Sequence, residues 1–234
     1  MASVDDLCRS YLDLKYHFDP AAASTAGLVA EDARLGNFDA EATREHISAL
    51  RSVAGAVEEL EPDELHAEID RTALLGEIRS TIFRLEYEHP GSRNPGFWLS
   101  HLFQALYALL ARTETAAAER APAVVARLEA TPAFLDSART ALDEPPSVFV
   151  DIALSMLGGG GELIAQVVAV FSGAAPDLGP AQAHRPGCVA IAGRIWCRAQ
   201  RRDRAQRGSP RVRDRGGAVH SPPASRACLD GGPA

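Results

Sequence analysis

The chain has 234 residues, 46% of them hydrophobic, a net charge of −7 and four cysteines. That length supports one sizeable core, and the cysteines lack the even, regular spacing of a secreted disulfide framework. The N-terminus, MASVDDLCRS, has acids where a signal peptide has a basic region and an apolar run, so a cytoplasmic protein is expected.

The spacing of Leu7, Tyr11, Leu14 and Phe18 predicts a helix over Val4 to Phe18. Asp19-Pro20 ends it, because the residue before proline is pushed out of the α region. The next stretch, PAAASTAGLVAEDARLGNF, reads as an irregular connector broken at Gly27 and Gly36. Asp39 then caps a helix over Ala40 to Leu60, with Ile47, Leu50, Ala54 and Val57 on one face. Glu61-Pro62 starts what reads as the longest helix, with Leu74, Ile78, Ile82 and Leu85 as its stripe and His89-Pro90-Gly91 as its stop.

Asn94-Pro95 repeats the cap-then-proline signal before GFWLSHLFQALYALLAR. That helix is apolar on most sides, which predicts a central core helix. Thr131-Pro132 starts a further helix over PAFLDSARTAL, and Glu144-Pro145-Pro146 leads into SVFVDIALSML. Gly158 to Gly161 then read as a break before a final helix over Glu162 to Phe171. The longest apolar stretch, Leu163 to Phe171, falls far short of the roughly 20 residues that span a bilayer, so no membrane span is expected. The predicted fold is all-α: an antiparallel multi-helix array around one apolar helix, forming a domain over residues 1–176.

Residues 177–234 differ in kind. They hold eleven arginines and four aspartates with no lysine or glutamate, whereas the chain through Pro176 carries 13 basic and 27 acidic residues. With so few large apolar groups this segment cannot offset the entropy of ordering its backbone, so a disordered basic tail is expected. Three origins fit: a basic arm for nucleic acid or acidic surfaces, a linker to an absent domain, or a high-GC gene read in a shifted frame. The abrupt loss of glutamate favours the shifted frame and disfavours nucleic acid as a partner. The rival reading of the whole chain is a non-catalytic helical binding module that uses the tail as a basic arm.

Chemistry is hard to find. Structural zinc needs closely spaced ligand pairs, but Cys188 and Cys197 are separated by eight intervening residues, and His184, His220 and Cys228 add no second close pair. Gly158 to Gly161 lack the Lys-Ser/Thr and the preceding strand of a phosphate loop. His66 and Glu68 lie two apart and face different sides of a helix. His101 reads as a hydrogen-bonded core residue, Glu58, Glu59 and Glu61 as a solvated face, and Asp70 as a partly buried acid paired with Arg71 or a distant arginine. No catalytic, cofactor-binding or metal residue is assigned, and no partner is identified.

Several motifs in order resemble the bacterial domain-of-unknown-function family DUF885: PAAASTAG, DARLGNFDAEA, EIDRTALLGEIRSTIFRLE, RNPGFWL, then ERAPAVVARLEATPAFLDSARTAL closed by EPP. The likeness runs from about Tyr11 to about Gly173. It implies the N-terminal portion of a larger helical protein, truncated or frame-shifted after about residue 176. Full-length relatives look like zincin-type zinc metallopeptidases acting on peptides, with an H-E-x-x-H helix further downstream. That motif works because two histidines at i, i+4 bind zinc while the glutamate activates a water. H-E-x-x-H does not occur in this chain, so zinc and a peptide substrate are implied only for the relatives.

Overall fold

The computed structural model describes residues 3–174, and among them there is no strand. Ser3 opens α1 (Val4–Phe18) with a reciprocal cap: its hydroxyl accepts from the Asp6 N–H while the Asp6 carboxylate accepts from the Ser3 N–H. The connector expected after it holds a buried helix instead, α2 (Pro20–Thr25), followed by a single 3₁₀ turn over Val29–Glu31. Pro20 sits at the first helical position, where its missing N–H costs nothing, and Asp19 caps the Ala22 N–H at 3.1 Å. Short, small-residue helices like this lack the periodic apolar signal that marks longer ones.

α3 (Ala40–Glu58) starts at Asp39, whose carboxylate accepts from the Glu41 and Ala42 N–H groups. α4 (Leu65–Phe83) begins later than the Glu61-Pro62 signal predicts, and a π turn over Arg84–Glu88 carries the chain to His89 in the left-handed region, φ 47°. After α5 (Pro90–Arg93), Asn94 caps α6 (Pro95–Ala111) through the Gly96 N–H.

The last two helices are the longest, 25 residues each, and both correct the sequence reading. α7 (Ala117–Ala141) runs straight through Pro132. A proline inside a helix costs about 3 kcal/mol, here outweighed by tertiary anchoring on both sides of it. Arg127 is fully buried before it, and Phe134, Leu135 and Ala138 are buried after it. α8 (Ser147–Phe171) continues through Gly158 to Gly161. The reason lies at Gly160, where an added Cβ would run into the Phe103 ring. The glycine is what lets α8 lie close against α6, and that packing overrides glycine's weak helix propensity.

Two apolar cores result. The first joins α1, α3 and α4 through Leu7, Tyr11, Leu50, Ala54, Val57, Leu74 and Ile78. The second gathers α2, α6, α7 and α8 around Trp98, Leu99, Leu106 and Leu109, all 0% exposed. At about 1.5–3 kcal/mol for each fully buried large side chain, α6 contributes more than any one face of the outer helices. It is the central helix that its composition predicts. Continuous α8 is long and apolar enough to cross a bilayer by length and composition, a length the sequence reading missed by breaking it at the glycines. The tail expected to be disordered lies outside the described residues, as do His184, Cys188, Cys197, His220 and Cys228.

Candidate functional site

The most concentrated polar chemistry sits where α2 and the 3₁₀ turn meet α6 and α7. Arg127 lies on the seam of α7 formed by Arg120, Val124, Thr131 and Phe134, and its side chain is enclosed. Its guanidinium donates to the Arg34 carbonyl at 3.0 Å, to the Ser24 hydroxyl at 2.6 Å, and to the carbonyls of Ala105, Glu31 and Pro20. Ser24 in turn donates to Asp32 at 2.7 Å, and Arg112 forms an ion pair with Asp32 at 2.5 Å. Arg112 also donates to the Ser24 carbonyl at 2.7 Å.

Burial lowers the Arg127 guanidinium to about 10, with Arg112 adding to the shift and Asp32 and Asp19 opposing it, so the group stays charged at neutral pH. Every direct acceptor of Arg127 is neutral, and they come from four separate elements. A charged donor whose three nitrogens each donate to main-chain or hydroxyl oxygens acts as a clamp. The Ser24 hydroxyl is held between Asp32 and Arg127 at 2% exposure, shut off from any substrate in solution.

A second polar contact links α6 to the start of α2. His101 lies 3.3 Å from Asp19 through Nε2, and its Nδ1 stands 2.7 Å from the Phe97 carbonyl. Burial pushes the Asp19 carboxyl up, but hydrogen bonding and charge from His101 and the Ala22 and Ala21 N–H groups pull it below its usual value. His101 is thus the hydrogen-bonded, mostly buried residue that its place on the apolar helix predicts. Phe38 packs against its ring at 4.4 Å and against Phe18, Phe97, Trp98 and Phe134. His46 stacks on Phe18 at 4.0 Å, and burial, then the charge of His17, lowers it to about 4.

The other residues weighed from sequence disperse. Asp70 is exposed and enters none of the ion pairs among the described residues; Arg71 pairs instead with Glu68 at 2.7 Å. Glu58 pairs with Arg79 at 2.8 Å, and Glu59 and Glu61 face solvent. His66 is exposed. Among the described residues no three histidine, cysteine, aspartate or glutamate side chains come together to hold a metal, so these residues do not fit the zinc that the family resemblance implies. Arg127, Asp32, Ser24 and Arg112 were not found from the sequence. The usable signal is an arginine at helical spacing among Val124, Thr131 and Phe134, on the apolar side of its helix.

An all-helical protein with a polar clamp and no assembled reaction centre among its described residues is the class that this geometry defines. Residues 20–194 match the family described as "Bacterial protein of unknown function (DUF885)", three quarters of the chain, and the protein belongs to that family. The match runs past Gly173, the end of the motif likeness, and takes in the first residues of the tail. No curated protein matches. Among solved structures, the chain is similar to a "putative lipoprotein of unknown function" from Shewanella oneidensis, with 16% identity and a TM-score of 0.69. That similarity covers 90% of this chain but 40% of the other, so the fold is shared and this chain spans under half of the longer protein.

Proposed function

We propose that this chain is the non-catalytic N-terminal helical part of a longer, zinc-metallopeptidase-like protein, and that it cleaves no peptide by itself. One observation carries the reading: nine tenths of this chain matches a structure of which it makes up 40%. Two further features support it. H-E-x-x-H is absent from the sequence, and the buried charges of the described residues are committed to holding helices together. In this role the chain supplies a rigid wall, clamped by Arg127 and centred on α6, for a reaction centre built elsewhere.

The test is a peptide-hydrolysis assay on the purified chain, with zinc added and with zinc chelated. No zinc-dependent turnover is expected under either condition. Turnover that survives stringent purification and disappears on chelation overturns the proposal.

A further inference from the structure

α4 is apolar on two opposite sides. Leu74 and Ile78 are buried in the first core, yet the outward side carries Leu65, Ile69 and Phe83, followed in the π turn by Tyr87, at 72%, 55%, 56% and 71% exposure. At about 100° per residue, Leu65, Ile69, Thr72, Gly76, Ser80 and Phe83 lie along one line of the helix. Tyr87 stays on that line because the π turn stacks its ring on Phe83, centroids 4.9 Å apart. A glycine in mid-helix weakens the helix, and nothing lies within 4 Å of where a Gly76 Cβ would stand. Gly160 is explained by its contact with Phe103; Gly76 has no such contact among the described residues.

The stripe is symmetric about Gly76. Counting outward in both directions, Ser80 corresponds to Thr72, Phe83 to Ile69 and Tyr87 to Leu65. A two-fold interface requires this kind of self-complementary patch. Two copies of α4 laid antiparallel with their glycines at the axis bring small residues to the crossing and seat each aromatic ring on an aliphatic side chain of the partner. Charge matches the same register. Arg84 and Asp70 lie on one flank of the seam, and neither enters an ion pair among the described residues. In the antiparallel arrangement Arg84 of each copy falls two residues along the axis from Asp70 of the other, within reach of its long side chain.

We propose that the outward face of α4 is a self-association surface, on which a second copy of this chain docks antiparallel with the two helices crossing at Gly76. The proposal does not depend on the proposed function. Sedimentation equilibrium of the full chain is expected to show a monomer–dimer equilibrium. Gly76→Leu, whose Cβ meets nothing within 4 Å among the described residues, should weaken association at least ~10-fold by separating the helices, while the thermal melt of the dilute variant is unchanged or shifted upward. Arg84→Asp and Asp70→Arg should each weaken the dimer, and the two changes together should restore it, a rescue that only this register permits. A wild-type chain that stays monomeric overturns the proposal. So does a dimer indifferent to Gly76→Leu, as expected if another face such as α8 drives assembly, or a charge swap that fails to rescue.

Discussion

In the layer built from α1, α3 and α4, charge stays at the rim. Arg79 reaches Glu58 at 2.8 Å, Arg51 reaches Glu86 at 2.6 Å and Lys15 reaches Glu77 at 3.2 Å, all with solvent on at least one partner. In the layer built from α2, α6, α7 and α8, Arg127 is sealed in the interior at 0% exposure, and the Arg112–Asp32 pair stands beside it. The helices of the first layer meet through apolar stripes, which fit many helical partners, with the ion pairs confined to their edges. The second layer must join irregular chain around residues 28–39 to three long helices, and irregular backbone leaves carbonyls unpaired. A guanidinium with five fixed donors satisfies several of them at once. The difference teaches where each layer's specificity comes from: spacing in one, buried arginines, Arg127 above all, in the other.

The sharpest way to break this comparison is Arg127→Met. It removes the charge but leaves the carbonyls of Ala105, Arg34 and Glu31 and the Ser24 hydroxyl to find new partners, at an expected cost of about 3–5 kcal/mol in chemical denaturation. Next is Gly160→Ala, expected to cost about 1–3 kcal/mol as the new methyl displaces Phe103 and pushes α8 from α6.

A third effect depends on pH. His46 is held neutral on folding because burial lowers it from 6.5 to about 4. The unfolded chain therefore binds the extra proton first, so this contribution is fully present above about 6.5 and is lost as pH falls toward about 4. Water reaching the half-buried ring screens part of the effect, leaving about 1–2 kcal/mol. His46→Phe keeps the stack on Phe18 and should flatten the stability profile across that window. The smallest effect belongs to the first layer's rim. Arg79→Ala should change stability by less than about 1 kcal/mol, since both partners of its ion pair are more than half exposed. A loss comparable to that of Arg127→Met would erase the contrast between the layers.

Much of the helical frame was legible in the residues. The limits of α1, the Asp39 and Asn94 caps and the centrality of α6 follow from short-range spacing and from side chains that accept backbone N–H bonds. What stayed hidden was set by contacts far apart in sequence. Pro132 and Gly158 to Gly161 are local stop signals, and only the packing of Arg127 and Phe134 on one helix and of Gly160 on Phe103 carries α7 and α8 through them. The polar clamp was hidden for a similar reason. Arg127 meets its acceptors on chain 22 to 107 residues away, a pairing that no local pattern announces. The dispersal of acids and histidines is not legible in spacing either: Asp13 and His17, and His66 and Asp70, stand at i, i+4 on one helix, yet no third ligand joins either pair among the described residues.

The central proposal, that this protein is one part of a longer catalytic whole, is tested most directly by its gene. Translating the other two frames beyond the codon for Arg194, where the family match ends, should yield a helix-rich continuation that contains H-E-x-x-H. Two frames crowded with stop codons and free of that motif would contradict the account.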